Sequence, residues 1–466
     1  MNSKINTNIQ DFLTWNPEEI FITDQNQNTH TRKEFLYLAM KMIKILESKG
    51  FTRGDRLILS GNNSVEYLIK IFACFLAGIV VIPVDPHLPI EERVKIQKRF
   101  LAKELNSLSH SQLKPTVTLD AIPEIDYDDD AIILLSSGTT GVSKGIVHSL
   151  NSFFGSAISF SRLVGIQEWD VTLHNWPMTY MAGIFNLFAL PLVSHSSIVL
   201  SDSISTSVLA NYWRLLENLQ PTIIYLSPTS INTLNRFRLI YGSDFSPGPL
   251  KSVKVISTSS LLHPESARLF QNNFRLEICP CYGITECGGS LTFFENSSIP
   301  YGVGKFSDEI DSKISNSGEI QIKTPYIGKR IILANGEEKV LSRDTYYLTG
   351  DIGYQQNGQL IITGRISDII KKGGYLINLN DIEKLLGTSA SYSELVAKPI
   401  LDDFWGEDYI IEFVGTKIIS DSEVITEISR KIISLTASNS FPSKIIAVDS
   451  ILRTNSGKVI RTLVKG

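Results

Sequence analysis

The sequence has no apolar run long enough to cross a bilayer. The longest, Ile71 to Val84, is broken by Gly78 and Pro83 and falls short of the ~20 residues a membrane helix needs; it reads as a buried helix followed by a strand. The segment Met1 to Gln10 is polar and lacks the apolar core of a signal peptide. Positive charge is not in excess: Lys plus Arg number 44 against 48 Asp plus Glu, a net charge of −4. A broad electrostatic footprint for nucleic acid is therefore excluded. Cysteine is scarce, at four residues. Cys279, Cys281 and Cys287 cluster, but Cys279-Pro-Cys281 lacks the two-residue spacer of a zinc knuckle and no histidine lies close by. With Cys74 they read as small buried hydrophobes, as expected of a reduced, cytoplasmic protein. The Walker A pattern G-x-x-x-x-G-K-[ST] is also missing.

At 466 residues, 43% hydrophobic and 20% charged, the chain reads as a soluble protein of at least two domains. Its first three quarters alternate helix and strand signals. Asn63 with Glu66 resembles a capping box opening a helix through Tyr67, Ile71 and Cys74 towards Gly78. Buried strands are expected at Val80 to Val84, Ser197 to Leu200, Thr222 to Leu226, Val253 to Ser257 and Leu276 to Cys279. Helical patterns lie between them at Val208 to Leu219 and after Pro264. The fold class this predicts is α/β, with layered subdomains and mostly parallel strands. From about Gly302 short strands and turns take over: Gly318 to Lys323, Arg330 to Leu333, Tyr346 to Leu348 and Gln359 to Thr363. Asn335-Gly336 and Asn357-Gly358 are hairpin signals. A small β-rich subdomain is expected there, then a separate α+β segment with strands near Tyr409 to Val414 and Lys444 to Val448. The boundary is placed at Arg365/Ile366, giving domains 1–365 and 366–466.

The chemistry is concentrated in a few short segments. Ser136, Ser137, Gly138, Thr139, Thr140, Gly141 and Lys144 follow the apolar run Ala131 to Leu135. Glycines let backbone N–H groups close around a phosphate, hydroxyls add donors, and the lysine supplies charge. A nucleotide-handling loop outside the P-loop type is the first reading; a Ser/Gly-rich surface turn is the bland one. In Tyr282-Gly-Ile-Thr-Glu286, Tyr282 offers a flat face for a purine, Thr285 a hydroxyl, and Glu286 a hard oxygen ligand for Mg²⁺. By itself the segment fits an ordinary strand-to-helix turn equally. Asp351, ending Tyr347-Leu-Thr-Gly-Asp351, can accept both hydroxyls of a ribose or close an Asx-turn. Arg365 suits ribose or phosphate, or a solvated linker. Lys458, within Arg453-Thr-Asn-Ser-Gly-Lys458, can balance charge on a carboxylate attacking phosphate, or belong to a solvated basic tail.

In this order the segments resemble the adenylate-forming superfamily of acyl- and aryl-CoA synthetases, nonribosomal-peptide adenylation domains and luciferases. Weaker matches include Gly54-Asp-Arg56, Pro83-Val-Asp-Pro86, Gly302-Val-Gly-Lys305 and Trp405-Gly-Glu407, so the resemblance spans nearly the whole chain. It implies ATP-dependent activation of a carboxylic acid to an acyl-adenylate, pyrophosphate release, rotation of a small mobile C-terminal domain, and transfer to a thiol. The acceptor is CoA, with a phosphopantetheine carrier protein or an amine as alternative, and a non-catalytic nucleotide-binding protein as the reading from another class. By this resemblance Ser136 to Lys144 wrap the β- and γ-phosphates, Tyr282 stacks on adenine, and Thr285 touches the α-phosphate. Glu286 holds Mg²⁺, Asp351 and Arg365 bind the ribose, and Lys458 stabilises the charge developing in adenylation. Gly373 and Gly374 match the segment that meets the pantetheine thiol.

Departures from the family pattern bear on loop, hinge and substrate. Ser143 stands where many relatives have proline, Ser367 where the hinge residue is commonly Asp or Lys, and Leu452 in place of a common proline. Tyr180 replaces a frequent histidine in Pro177 to Gly183 and is expected to gate the acyl pocket. Ser257 to Leu261, with Ser259, replaces a turn usually rich in glycine and alanine. The added side chains predict a small or medium acid. Ile184 to Leu187 lacks the aspartate that many amino-acid-activating relatives use.

Overall fold

The structure, a computed structural model, describes residues 9, 14–104, 124–136, 144–248, 250, 252–294, 301–372, 375–387, 389–435, 441–453, 459–461 and 464–465. Two seven-stranded sheets build its larger part. The first runs, in spatial order, Ile278–Pro280, Lys254–Ser257, Ile223–Leu226, Val171–His174, Ser197–Leu200, Ile20–Thr23 and Thr29–Thr31. All neighbours are parallel except the last pair. The second runs Glu338–Val340, Arg330–Ile332, Lys144–Ser149, Asp130–Ser136, Val80–Val84, Arg56–Ser60 and Lys103–Glu104. It is antiparallel up to Asp130–Ser136 and parallel beyond.

Strand periodicity explains the layering. Ile223 and Tyr225 enter one core cluster, Ile224 and Leu226 another; Ile132 and Leu134 join the first, Ile133 a third. Successive residues thus face opposite layers, and both faces of each sheet are covered. The shared central layer holds the helices Arg32–Ser48, Val65–Ala77 and Leu150–Val164. Its aromatic side chains Phe21, Phe35, Phe72, Phe75, Phe153, Phe154, Phe185 and Phe188 meet largely edge-to-face or tilted.

Besides two short two-stranded pairings, Gly283–Ile284 with Gly289–Ser290 and Thr292–Phe293 with Lys305–Phe306, two larger β units remain among the described residues. Asp311–Ile314, Glu319–Lys323, Tyr347–Gln356 and Gln359–Arg365 form a four-stranded antiparallel sheet. Its last hairpin turns at Asn357 (φ 52°) and Gly358 (φ 74°), as the Asn-Gly signal requires. After Arg365, Ile369–Lys372, Tyr375–Asn378, Tyr392–Asp402, Gly406–Gly415, Lys444–Ala447 and Val464–Lys465 form a further sheet. The helices Leu379–Leu386 and Asp421–Leu435 pack on it around their own apolar core.

Three local expectations need correction. Ser64, not Asn63, caps the helix Val65–Ala77, accepting a bond from the Tyr67 N–H at 3.1 Å. The Asn63 amide instead donates to the Trp176 carbonyl at 2.9 Å and accepts from Met178 N–H, so a long-range tie takes it from the local role. The Val208 to Leu219 pattern splits at Asn211 into Thr206–Ala210 and Tyr212–Leu219. The hairpin at Asn335-Gly336 forms, but its strands extend the second large sheet beside Lys144–Ser149 rather than the small β unit, because pairing depends on partners far away in sequence.

His174 ends a central strand, fully buried, and burial pushes its imidazole down to about 3. The unfolded chain takes up this proton below about pH 6.5 while the folded one does not, so stability is complete above that pH and declines as pH falls towards 3. The expected contribution is about 1.4 kcal/mol per pH unit. His174→Phe is expected to flatten the acid slope of the unfolding midpoint between pH 6 and 4; an unchanged slope contradicts this assignment.

Candidate active site

The strands flanking residues 137–143 pair antiparallel, with Ser136 opposite Lys144. Ser137, Gly138, Thr139, Thr140 and Gly141 lie outside the described residues, as does Ser143. Lys144 projects from its strand to Glu286, its ammonium 2.5 Å from Oε1. Glu286 sits in the short turn Thr285–Cys287 and is 9% exposed. Burial opposes its charge, but the Lys144 ammonium outweighs that effect and holds the carboxyl below the usual carboxylate range. The site therefore contains an ionised, largely desolvated carboxylate whose partner is a lysine able to exchange it for another anion.

A second constellation joins three segments. Asp351 and Arg365 lie directly opposite one another on antiparallel strands. Arg365 Nε approaches Asp351 Oδ1 at 2.7 Å, and the Tyr282 hydroxyl donates to Oδ2 at 2.6 Å. The carboxylate is 3% exposed. Each oxygen keeps a lone pair, so two further hydroxyl donors can be accommodated. Thr349 pins the turn before it, donating to the Ile320 carbonyl at 2.7 Å and accepting from the Asp351 N–H at 3.0 Å. The Tyr282 ring is thereby fixed in orientation, and burial with the adjacent Asp351 raises its phenol well above the ordinary range.

Two residues without a role in the motif reading join this network. His148, four residues after Lys144 and fully buried, places Nε2 2.8 Å from the Thr285 carbonyl oxygen and Nδ1 3.0 Å from the Ser152 hydroxyl. Burial pushes its imidazole down to about 4, so it is neutral and Nε2 carries the proton that the carbonyl accepts. The signal was present: Lys144 and His148 share one face of a strand. Tyr347, at the start of the T-G-D segment, lies against Glu286; burial and that carboxylate raise its phenol.

The acyl-side candidates lie on separate segments. Ser257 ends its strand buried, its backbone carbonyl accepting from Cys281 N–H at 2.9 Å while its hydroxyl has no protein partner among the described residues. Ser259 follows at φ 86°, backbone that only glycine adopts without strain. Tyr180 lies before the helix Met181–Ile184, its hydroxyl 3.4 Å from Asp85 Oδ2. A Cβ on Gly183 would sit 2.1 Å from the Pro177 carbonyl oxygen, so only glycine closes this loop. Behind it the Ser290 hydroxyl donates to Asn186 Oδ1 at 3.0 Å.

On the C-terminal side, Ser367 lies in the turn Ile366–Asp368. Arg461 bonds Asp368 Oδ2 at 2.8 Å and both oxygens of Glu383 at 2.7 and 2.6 Å. Gly373, Gly374 and Lys458 lie outside the described residues. Among the described residues all four cysteines are buried and outside any disulfide, and no group of three or more His, Cys, Asp or Glu is placed to hold a metal. No described helix is long and apolar enough to cross a membrane.

Comparison with known proteins agrees on one relationship. A family model described as AMP-binding enzyme matches residues 10–103 and 94–330. The chain is 26% identical to a 2-succinylbenzoate–CoA ligase of Bacillus licheniformis, covering 94% of this chain and 95% of the relative. It is 22% identical to a 4-chlorobenzoate–CoA ligase of an Arthrobacter species, over 85% and 81%. Among solved structures, o-succinylbenzoate CoA synthetase of Bacillus subtilis in complex with its acyl-adenylate intermediate superposes with a TM-score of 0.80 at 21% identity, covering 97% of this chain and 96% of that one.

Proposed function

The chain belongs to the AMP-binding enzyme family, and we propose that it activates a carboxylic acid with ATP to an acyl-adenylate, releases pyrophosphate, and passes the acyl group to the thiol of coenzyme A. One observation carries this reading: five residues expected from ordered motifs form two adjacent constellations, Lys144 with Glu286, and Tyr282 with Asp351 and Arg365.

In the first half-reaction a carboxylate oxygen of the acid attacks the α-phosphorus, and the bond to the β-phosphate oxygen breaks. Two anions must meet, so their repulsion has to be screened. Lys144 is suited to the leaving phosphates, with Ser136 to Gly141 closing over them. Thr285 faces the α-phosphate, and Lys458 neutralises charge on the attacking and α-phosphate oxygens. Asp351 and Arg365 hold the ribose, and Tyr282 packs on adenine. Glu286 fits a magnesium ion, which typically takes one or two carboxylates and completes its shell with phosphate oxygens and water; bound there, it would polarise the phosphates. In the second half-reaction the thiol sulfur attacks the acyl carbonyl and AMP departs. We place the pivot between domains 1–365 and 366–466 at Ser367, with Gly373 and Gly374 leaving room for the pantetheine arm.

For the acid we favour a small or medium molecule. The buried Ser257 hydroxyl and the Asn186–Ser290 pair add polar bulk where a long alkyl chain needs an apolar channel, and relatives named for 2-succinylbenzoate and 4-chlorobenzoate are in keeping. Four buried cysteines, none in a disulfide, suit a cytoplasmic setting. The test is pyrophosphate release with a panel of aliphatic, hydroxylated, aromatic and amino acids, with hydroxylamine trapping of the adenylate. One or more small or medium acids are expected to react and to give a CoA thioester. Preference for palmitate overturns the size assignment. Adenylate without CoA thioester points to a carrier protein or amine, and ATP binding with no adenylation of any acid points to a non-catalytic protein.

Tyr282→Phe keeps the ring but removes the hydroxyl from Asp351. The expected result is a rise of about 3- to 10-fold in the KM for ATP with kcat within about twofold, corresponding to one lost positioning hydrogen bond. Equal KM values in variant and wild type contradict the nucleotide assignment.

A further inference from the structure

We propose that His148 is a positioning residue for adenylation: it holds the Thr285–Glu286 turn at a fixed place relative to the strand that carries Lys144. The proposal rests on the adenylation reading above. The strand Lys144–Ser149 is paired along both edges, to Asp130–Ser136 and to Arg330–Ile332, and is a rigid base. Its residues 144 and 148 lie on one face, about 13 Å apart at the usual rise per residue. Both reach the same turn: Lys144 grips the Glu286 carboxylate at 2.5 Å, and His148 Nε2 donates to the Thr285 main-chain oxygen at 2.8 Å. The next carbonyl, that of Glu286, accepts from Gly328 N–H at 2.8 Å, and Lys329 N–H in turn bonds the Val147 carbonyl at 2.8 Å.

The two side-chain contacts differ in kind. The Lys144–Glu286 pair must come apart when Glu286 turns to a cation and Lys144 to phosphate. The His148 bond goes to main chain and persists through that exchange. It is then the side-chain tie from this strand that keeps the Thr285 hydroxyl and the Glu286 carboxylate aimed at the nucleotide. His148 has no exposed surface, so it acts through the turn without touching substrate. The Ser152 hydroxyl, 3.0 Å from Nδ1, orients the ring, as a partner of the second nitrogen does in other histidine-anchored sites.

His148→Leu removes the donor, and His148→Gln retains an N–H near the same point. For both variants and wild type, kcat, the KM for the acid and the half-saturating Mg²⁺ concentration are measured in acid-dependent pyrophosphate release, with folding followed by circular dichroism. The leucine variant is expected to lose about 30-fold in kcat and to need several-fold more Mg²⁺, with the acid KM within about twofold. Glutamine is expected to recover kcat to within about fivefold of wild type, a rescue that a merely space-filling role would not give. A folded leucine variant with wild-type kcat and Mg²⁺ requirement overturns the proposal, as do equal losses in the two variants. If wild type adenylates no acid, the functional reading itself fails. Calorimetric ATP binding against Mg²⁺ then decides for His148, and an unshifted Mg²⁺ dependence in His148→Leu overturns it.

Discussion

Glu286→Gln is expected to lower acid-dependent pyrophosphate release by at least about 10²-fold, the loss typical when one preorganised electrostatic partner of a developing charge is removed. Glutamine keeps the size and a carbonyl oxygen but not the charge that Lys144 and a magnesium ion both require. The fold is expected to survive, because the Lys144 side chain is 28% exposed and its ammonium can turn to water once unpaired. The variant should also need more Mg²⁺ for half-maximal rate, and Glu286→Asp should recover part of the loss. Wild-type turnover and an unshifted Mg²⁺ requirement in Glu286→Gln would remove Glu286 from the metal role.

Lys458→Ala is expected to separate the two half-reactions. Lys458 lies outside the described residues, but both sides of its segment are anchored. Arg453 pairs with Glu394 at 2.8 Å and bridges to Val459, and Arg461 clasps Asp368 and Glu383. Truncating the lysine leaves these ties in place, so folding and nucleotide binding are expected to persist. Adenylation should fall about 10²- to 10³-fold, because the repulsion between the acid and the α-phosphate is left unscreened. Conversion of a supplied acyl-adenylate to its CoA thioester should change by less than about threefold, since that step has a neutral acyl carbonyl as its target. A parallel fall in both steps would count against a specific role in adenylation.

The residues proposed for the chemistry are largely visible in the sequence. Glycines with a lysine after a buried strand, a carboxylate after Thr-Gly, and an arginine closing a strand each have a physical use for a nucleotide, and their order along the chain ties them together. The role of His148 is not legible in the sequence because its partner is a main-chain carbonyl 137 residues away, and any residue type can supply one. The sequence places Tyr347 in a short strand, and only its closeness to Glu286 gives it a further role. The misassigned cap has the same cause: Asn63 and Ser64 are both good capping residues, and the distant Trp176 carbonyl claims the Asn63 amide.

What the sequence by itself determined is local. Continuous apolar runs set the buried strands, Gly78 ended a helix, and Asn357-Gly358 set a hairpin, because adjacent side chains act directly on their own backbone. What the tertiary structure alone decided is partnership. The strand Arg330–Ile332 lies beside Lys144–Ser149, Glu286 answers Lys144, and Thr285 answers His148. Each such choice depends on which distant groups are buried together, where an unpaired polar group carries a large cost and the partner that folding brings within reach satisfies it.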